Sequence, residues 1–350
     1  MRSYQVAQFG APLELAEREA PKPEGTQVRL RVRAAGVCHS DLHIWEGGYD
    51  LGHGKRLSLQ QRGIPLPLTM GHETVGEVAA VGPDAKGVRE GETRLIYPWI
   101  GCGKCPVCQA GDENLCMQPR SLGVYCDGGY ADEIIVPHPR YLVDIDGLDP
   151  AEAAPYACSG LTTYSALRKF GDLIRTEPLL IIGAGGLGLM CLSLLKAMEG
   201  RGAIVVDIDP RKREAAMAAG ALAAIDGKAE DALSQVVMAA SRPLRCAIDL
   251  VGSPPTADLG FNALVKGGKL VIVGLFGGAA PWPLPYIPMK AATIQGSYVG
   301  NLAELRELID LVRTKGVAPI PITRRPLAEA SATLEALQRG EVVGRAVLVP

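Results

Sequence analysis

The 350-residue sequence has no excess of either charge: Lys and Arg number 36, Asp and Glu number 38, and the formal net charge is −2. A nucleic-acid-binding protein or a basic membrane-surface protein would carry a positive excess, so both classes are disfavoured. The sequence also lacks an apolar run of the roughly 20 residues that a membrane span needs, and its first residues lack the apolar core of a signal peptide. With 47% hydrophobic residues, we expect a soluble cytoplasmic protein of about two domains.

Nine cysteines are the unusual feature of the composition. In a reducing cytoplasm, clustered thiols bind metal or do chemistry more often than they form disulfides. Four of them share one Gly- and Pro-bearing loop with the spacing C-x2-C-x2-C-x7-C: Cys102, Cys105, Cys108 and Cys116. Short spacings let one loop surround a tetrahedral ion with four thiolates and leave no open position, which predicts a structural zinc site. An iron–sulfur cluster is the rival, although ferredoxin-type runs close with a three-residue spacing and a proline.

The first 150 residues are predicted to form short strands and loops. Period-two alternation of apolar and polar residues predicts a half-buried strand over Gln27–Arg33, and β-rich runs predict strands over Thr74–Val81 and Tyr130–Val136. Residues 46–68 are predicted to be a long loop, which in a compact domain is usually functional.

The second half alternates strands and helices. Nearly all-apolar runs predict buried strands at Leu179–Ile182, Ala203–Val206, Cys246–Val251 and Lys269–Val273. Helices are predicted at Leu187–Met198, Arg211–Ala219 and Thr256–Val265. This pattern is typical of a parallel sheet covered on both faces. Beyond residue 295 the sequence predicts two amphipathic helices and a last strand, at Leu302–Thr314, Leu327–Gln338 and Arg345–Val349.

A glycine-rich motif follows the first of these apolar strands. Gly183, Gly185 and Gly188 form G-x-G-x-x-G between a strand and a helix, where they permit a tight turn, close approach to a pyrophosphate and close helix–strand packing. Asp207 closes the next strand, where a carboxylate accepts hydrogen bonds from ribose hydroxyls and repels a 2′-phosphate. The motif therefore predicts a dinucleotide site that favours NAD, although the nearby Arg211 and Lys212 could accommodate NADP.

A second candidate metal site combines Cys38 and His72. A catalytic zinc needs three protein ligands and one open position, often with Cys and His among them. The pattern alone leaves the third ligand open among four cysteines: Cys126, Cys158, Cys191 and Cys246.

Several motifs together resemble the zinc-containing alcohol dehydrogenases of the medium-chain dehydrogenase/reductase superfamily. They are Cys38–His43, Gly71–Glu73, the four-cysteine loop, Asp127–Ala131, Gly183–Gly188 and Gly344–Arg345, and Gly296–Asn301 is similar to the tetrameric yeast-type branch. The resemblance implies a GroES-like β-rich catalytic domain and a Rossmann domain with a doubly wound parallel sheet. It implies that the catalytic domain spans residues 1–158 and 296–350 and that the cofactor domain spans residues 159–295.

The resemblance also implies roles for single residues. Cys38, His72 and Cys158 would hold the catalytic zinc, because the segment from Cys158 to Tyr164 matches the third-ligand segment of the family. Glu73 would be a nearby acid able to approach the metal, and Asp41 would accept the other N–H of His72. The implied proton relay and remaining cofactor contacts are as follows: Ser40 and His43 for the relay, His39 and Arg345 at the pyrophosphate, Thr162 at the nicotinamide, and Lys212 near the ribose.

The implied activity is reversible hydride transfer between a primary or secondary alcohol and NAD, with two zinc ions per subunit. The expected partners are a small alcohol or carbonyl substrate and further copies of the chain in a homodimer or homotetramer, with no nucleic acid or membrane. A polyol dehydrogenase of the same superfamily, a non-catalytic dinucleotide-binding protein and an iron–sulfur electron carrier are the alternatives. An insertion around Gly47–Arg62 leads us to expect a pocket for bulky alcohols, with Trp45 and Trp99 as candidate lining residues.

Overall fold

The computed structural model describes residues 1–280 and 282–350. Its strands are β1 (Arg2–Val6), β2 (Glu14–Glu17), β3 (Val28–Val37), β4 (Gly48–Gly52), β5 (Lys55–Ser58), β6 (Leu68–Thr69), β7 (Glu73–Val81), β8 (Thr93–Ile96), β9 (Glu133–Val136), β10 (Leu142–Asp144), β11 (Leu179–Ile182), β12 (Ala203–Asp207), β13 (Ala223–Asp226), β14 (Cys246–Asp249), β15 (Lys269–Ile272), β16 (Thr293–Gly296), β17 (Ile322–Pro326) and β18 (Arg345–Val349).

The α-helices are α1 (His39–Glu46), α2 (Pro106–Gln109), α3 (Pro150–Ala153), α4 (Ser159–Arg168), α5 (Leu173–Thr176), α6 (Gly186–Ala197), α7 (Pro210–Ala218), α8 (Ala232–Ala240), α9 (Pro254–Ala263), α10 (Tyr286–Lys290), α11 (Leu302–Lys315) and α12 (Ala330–Gln338). Short 3₁₀ helices cover Glu113–Leu115, Pro139–Tyr141, Ala154–Ala157 and Leu327–Glu329.

The larger N-terminal sheet is built from two separate stretches of the chain. Its strand order is β10-β8-β7-β3-β18-β17, and β9 also pairs with β3. The C-terminal strand β18 runs antiparallel to β3, with Ala346 opposite Val37 and Leu348 opposite Ala35. This pairing brings the end of the chain back to the sheet that carries the segment from Cys38 onwards. The exact domain boundaries after residues 158 and 295 stay a prediction.

The second sheet is parallel and has the strand order β13-β12-β11-β14-β15-β16. The four central strands coincide with the predicted apolar runs to within two residues, and nearly all their residues are buried. The sheet is therefore the parallel sheet that the alternation predicted, in the doubly wound form that the resemblance implied, which confirms the fold class. Its outer strands β13 and β16 were not predicted, because both are partly exposed and lack a continuous apolar run.

The prediction of one long loop over residues 46–68 is wrong for its first half. Strands β4 and β5 form an antiparallel hairpin there, with Tyr49 opposite Leu57. Gly52, His53 and Gly54 all adopt positive φ at its turn, and two of the three are glycines, for which positive φ carries little strain. The Gly278 N–H donates to the Asp50 carbonyl at 3.0 Å, so the hairpin contacts the segment that follows β15.

Residues 178–195 include no charged side chain, and they cover strand β11 and most of helix α6. Both elements are packed into the core of the parallel sheet, with Leu179, Ile181 and Leu194 fully buried. In the described part of the chain, we find no helix with the length and apolar character that crossing a membrane requires.

Candidate metal and dinucleotide site

A cavity of about 340 Å³ lies between the two sheets. One wall is formed around the start of α1 and the start of α4, and it includes Cys38, Ser40 and Cys158. The other wall is formed by the turns after the parallel strands β11, β12, β14, β15 and β16. Ligands of open parallel sheets bind at these carboxyl ends of the strands, so the cavity is the candidate functional site.

Three predicted ligands meet beside this cavity, and two of them, Cys38 and Cys158, line it. Cys38, His72 and Cys158 are buried, and their ligand atoms lie within 4.8 Å of one another. The two sulfur atoms are 3.9 Å apart. Two thiolates bound to one tetrahedral zinc lie about 3.8 Å apart, given a Zn–S bond of about 2.3 Å. The donor set and its spacing therefore fit zinc.

The electrostatics of the two thiols also favour a cation. The hydrogen bond from Cys158, helped by the positive charge of Arg345, lowers the pKa of the Cys38 thiol well below its usual range. The thiolate is the form of cysteine that ligates a metal. Both ring nitrogens of His72 are buried and have no hydrogen-bond partner in residues 1–280 and 282–350. Nδ1 lies 3.1 Å from the Asp41 carboxylate, so Nε2 is the nitrogen left to face an ion.

Asp41 lies against the other nitrogen of His72. Its Oδ1 is 3.1 Å from His72 Nδ1, and its Oδ2 accepts a hydrogen bond of 2.9 Å from the Cys38 backbone N–H. The carboxylate thereby caps the first turn of α1 and orients the imidazole ring at the same time. This is the position expected for Asp41.

Glu73 is near the three ligands but outside their group. Its Oε1 lies 3.2 Å from Arg345 Nη2 and accepts a hydrogen bond of 3.2 Å from the Ser159 N–H. Burial raises the pKa of the Glu73 carboxyl to about 8, and Arg345 opposes that rise. Arg345 lines the cavity and also donates to the Val37 carbonyl at 3.2 Å. The arginine expected at the pyrophosphate is thus also tied to the acid beside the metal ligands.

The two residues of the expected proton relay line the cavity. Ser40 Oγ lies 3.8 Å from Cys38 Sγ, and His43 follows one turn later on α1. Burial lowers the pKa of His43 below its usual value. Its ring contacts that of Tyr49, with the centroids 4.8 Å apart.

The glycine-rich turn adopts the geometry that its motif requires. Gly183 has φ +98°, a conformation that favours glycine. A Cβ on Gly188 would lie 2.0 Å from the Gly183 carbonyl oxygen, so helix α6 could not pack this closely with any side chain there. A Cβ on Gly185 would meet no atom within 4 Å, which leaves the backbone open to the cavity. Helix α6 begins at Gly186, and the free N–H groups of its first turn face the same cavity.

Asp207 ends strand β12 beside this turn. Its Oδ2 accepts from the Ala184 N–H at 2.7 Å and its Oδ1 from the Asp209 N–H at 2.8 Å. Arg211 is held by Asp209 at 2.7 Å and by the Gly340 carbonyl at 3.1 Å, whereas Lys212 lines the cavity. Of the two basic residues that could receive a 2′-phosphate, only Lys212 is therefore directed to the site.

Two other expected cofactor contacts also line the cavity. His39 is exposed on the wall beside Cys38, and Thr162 is buried on α4. Thr162 Oγ1 has no hydrogen-bond partner among the described residues. An unpaired buried hydroxyl at a cavity wall is available to a polar group of a ligand.

The predicted four-cysteine site also assembles. Cys102, Cys105, Cys108 and Cys116 have ligand atoms within 4.8 Å of one another. Three sulfur pairs are separated by 3.4, 3.8 and 4.0 Å, close to the edge of about 3.8 Å of a tetrahedral zinc–thiolate site. Backbone N–H groups of Lys104 and Cys105 lower the pKa of the Cys102 thiol to about 6. All nine cysteines lie within the described residues and are free.

The aromatic wall of the cavity was only partly expected. Trp99 lines the cavity near His72, with the ring centroids 5.3 Å apart, and donates to the Ala157 carbonyl at 3.0 Å. Trp45 is not among the lining residues; it donates to the Ala11 carbonyl and packs against the core. Tyr49 and Tyr298 also line the cavity. Neither was singled out from the sequence, although Tyr49 lies in the insertion around Gly47–Arg62 and Tyr298 in the Gly296–Asn301 motif.

Comparison with known proteins connects this geometry to a family. Residues 24–147 match the model of the alcohol dehydrogenase GroES-like domain, and residues 186–314 match that of zinc-binding dehydrogenases. A protein of Saccharolobus solfataricus named NAD-dependent alcohol dehydrogenase is 39% identical over 352 residues and covers 100% of both chains. The chain belongs to the zinc-containing alcohol dehydrogenase family.

Two further similar proteins carry different names. The crystal structure of an alcohol dehydrogenase from Aeropyrum pernix has a TM-score of 0.90, 31% identity and 100% coverage of both chains. A second protein of Saccharolobus solfataricus, named D-arabinose 1-dehydrogenase (NADP(+)), is 30% identical over 99% of this chain and 96% of its own. Family membership alone therefore leaves both the substrate class and the cofactor to be argued from the site.

Proposed function

We propose that the protein is a zinc-dependent alcohol dehydrogenase that transfers hydride reversibly between an alcohol and NAD. The observation that carries the proposal is the shared cavity. Cys38 and Cys158 of the metal-ligand group line it on one side, with the buried His72 beside them, and the glycine-rich turn with Asp207 lines it on the other. A dehydrogenase needs both sites next to each other, whereas a protein that only binds a dinucleotide needs no metal-ligand triad.

Cys38, His72 and Cys158 would hold the catalytic zinc and leave its fourth position open to the cavity. Zinc bound in this way lowers the pKa of an alcohol and stabilises the developing negative charge on oxygen. Cys102, Cys105, Cys108 and Cys116 would hold a second zinc with no open position, which therefore serves the fold. Glu73 would contribute as a nearby acid and not as a permanent ligand, since it pairs with Arg345.

Ser40 and His43 would carry the proton of the substrate hydroxyl to solvent. Ser40 lies beside Cys38, where it can accept a hydrogen bond from that hydroxyl. No direct hydrogen bond joins Ser40 to His43 within the described residues, but both line the same cavity, one helical turn apart on α1. Because burial lowers the pKa of His43, its ring is mostly neutral at pH 7 and able to accept the proton.

The wall around the metal group favours alcohols with an apolar substituent over sugars. Tyr49, Trp99 and Val124 line it, and a sugar would need several hydrogen-bonding side chains in their place. We propose that the substrates are primary or secondary alcohols, including bulky ones, and that polyols are poor substrates.

The proposal is tested by an NAD-linked screen of primary, secondary, aromatic and cyclic alcohols, run in reverse with the corresponding carbonyls. Zinc content is measured on the same protein, and we expect about two equivalents per chain. Parallel wells with NADP test the cofactor preference. A coloured iron-containing protein, or activity confined to polyols, would contradict the proposal.

We further propose that the active protein is a homodimer or homotetramer in the cytoplasm. Strand β16 forms an edge of the parallel sheet and is partly exposed. Leu284, Tyr286 and Met289 lie shortly before it and are 76%, 51% and 63% exposed, an apolar surface that a second copy would cover. Mass photometry at low protein concentration distinguishes the monomer, dimer and tetramer.

A further inference from the structure

A buried tyrosine contacts Asp41, the residue that lies against the proposed zinc ligand His72. Tyr130 is fully buried, and its hydroxyl donates a hydrogen bond of 2.9 Å to Asp41 Oδ2. Asp41 is fully buried as well. A buried phenol and a buried carboxylate that face each other form a strong, charge-assisted hydrogen bond.

Asp41 in turn contacts two of the three proposed metal ligands, Cys38 and His72. The same Oδ2 accepts from the Cys38 N–H at 2.9 Å, and Oδ1 lies 3.1 Å from His72 Nδ1. Because Nδ1 faces Asp41, Nε2 is the imidazole nitrogen left for an ion. The orientation of the Asp41 carboxylate therefore determines how the His72 ring is held.

The position of Tyr130 is itself fixed by the backbone that precedes His72. Its N–H donates to the Met70 carbonyl at 2.9 Å, and its carbonyl accepts from the Tyr4 N–H at 2.8 Å. Its ring packs against Gly71, where a Cβ would lie 2.5 Å from Tyr130 Cδ1 and where φ is +100°. The ring thus has little freedom to move its hydroxyl away from Asp41.

We propose that Tyr130 is a positioning residue for the catalytic zinc, holding Asp41 in the orientation that fixes the His72 tautomer and thereby slowing metal release. The inference rests on the proposed function, because it concerns the same metal site. Tyr130 touches neither substrate nor cofactor, since it is absent from the lining of the cavity.

The hydroxyl is available as a donor at every working pH. Burial and the charge of Asp41 raise the pKa of Tyr130 well above its usual value, so the phenol stays protonated. If Tyr130 becomes phenylalanine, the ring remains and Oδ2 keeps only the Cys38 N–H. Asp41 can then rotate more easily, and the hold on His72 weakens.

The test measures zinc release from the full-length holoenzyme to an excess of a colorimetric chelator, for the wild type and Tyr130→Phe. Mutating a residue that holds a metal ligand directly typically costs about 10- to 100-fold in metal affinity, and the lower value applies to Tyr130 because it acts through Asp41. We expect one of the two zinc ions to leave about 10-fold faster or more in Tyr130→Phe, while the other leaves at the wild-type rate. Cys38→Ser, which should retain only the four-cysteine zinc, identifies which phase belongs to which site.

Tyr97→Phe is the matched control. Tyr97 is also fully buried, and its hydroxyl donates a single hydrogen bond of 3.0 Å to the Gly300 carbonyl. Both variants remove one buried hydroxyl, so both should lower Tm by a similar small amount. Only Tyr130→Phe should change the release of the catalytic zinc, and adding excess zinc to the assay buffer should restore its turnover.

Three outcomes would overturn the inference. The first is wild-type release of both ions from Tyr130→Phe, and the second is equal acceleration of both phases with a lower Tm, which would indicate only a structural role. The third is the same acceleration in Tyr97→Phe. A wild-type protein that binds only the four-cysteine zinc would instead overturn the proposed function itself, and this is visible before any variant is compared.

Discussion

Replacing Asp207 by alanine is expected to abolish the preference of the protein for NAD over NADP. An ionised carboxylate offers about four acceptor positions. The Ala184 and Asp209 N–H groups use one on each oxygen, at 2.7 and 2.8 Å. The remaining positions match the two hydroxyls of an adenosine ribose, and the negative charge opposes a 2′-phosphate.

The magnitude follows from these hydrogen bonds. A hydrogen bond to a charged group contributes about 1.5–3 kcal/mol, and the lower value applies because Asp207 is only partly buried. Losing two of them costs about 3 kcal/mol, which corresponds to about a 100-fold loss in kcat/KM for NAD. Activity with NADP should be unchanged or rise, because the repulsion of its phosphate is removed.

The assay compares kcat/KM for NAD and NADP at a saturating alcohol concentration, together with Tm. Tm should fall slightly, since the Ala184 N–H loses its partner. Arg211→Ala is the control: Arg211 is held by Asp209 and Gly340, so it should not change the cofactor ratio, whereas Lys212→Ala should weaken residual NADP activity. A wild type that prefers NADP, or an Asp207→Ala variant that loses both activities equally, would refute this reasoning.

Three further predictions concern the metal loop, the relay and the pocket. Cys116→Ser should lose one zinc equivalent by elemental analysis and lower Tm by about 5 °C or more, since the metal cross-links its loop; unchanged zinc content would contradict this. His43→Ala should slow turnover near neutral pH and steepen its pH dependence. Because burial lowers the pKa of His43, the wild-type ring is a proton acceptor above that pKa, so an unchanged pH–rate profile would remove it from the relay. Tyr49→Ala should raise kcat/KM for branched secondary alcohols relative to ethanol in the same screen, and an unchanged ratio would exclude Tyr49 from the pocket wall.

The sequence predicted the central strands of the parallel sheet because burial on both faces leaves a continuous apolar run. Strand β11 has the predicted bounds, and β12 differs by one residue. The outer strands β13 and β16 read Ala-Ala-Ile-Asp and Thr-Ile-Gln-Gly, which lack such a run because one side of each is exposed or covered only in part. Hairpin β4–β5 was missed for another reason, since its turn depends on positive φ at Gly52, His53 and Gly54.

The third metal ligand shows what local patterns cannot supply. Cys158 is 120 residues from Cys38, and the pattern left it equivalent to three other cysteines. In the structure, Cys191 is buried inside helix α6, Cys246 is inside strand β14 and Cys126 is exposed, so none of them faces the site. Only the resemblance to a family selected Cys158, because its position depends on how the 3₁₀ helix Ala154–Ala157 just before it packs against β7 and β3.

Local motifs also do not predict the contact between Arg345 and Glu73. The two residues were expected in separate roles, one at the cofactor and one at the metal, and they are 3.2 Å apart. Sheet pairing explains their proximity, since Glu73 lies opposite Gly36 on β3 and Ala346 lies opposite Val37 on the same strand. Arg345 is buried, and its charge opposes the rise that burial causes in the pKa of Glu73. The cofactor side and the metal side of the cavity are therefore joined through one buried contact, which neither motif could indicate by itself.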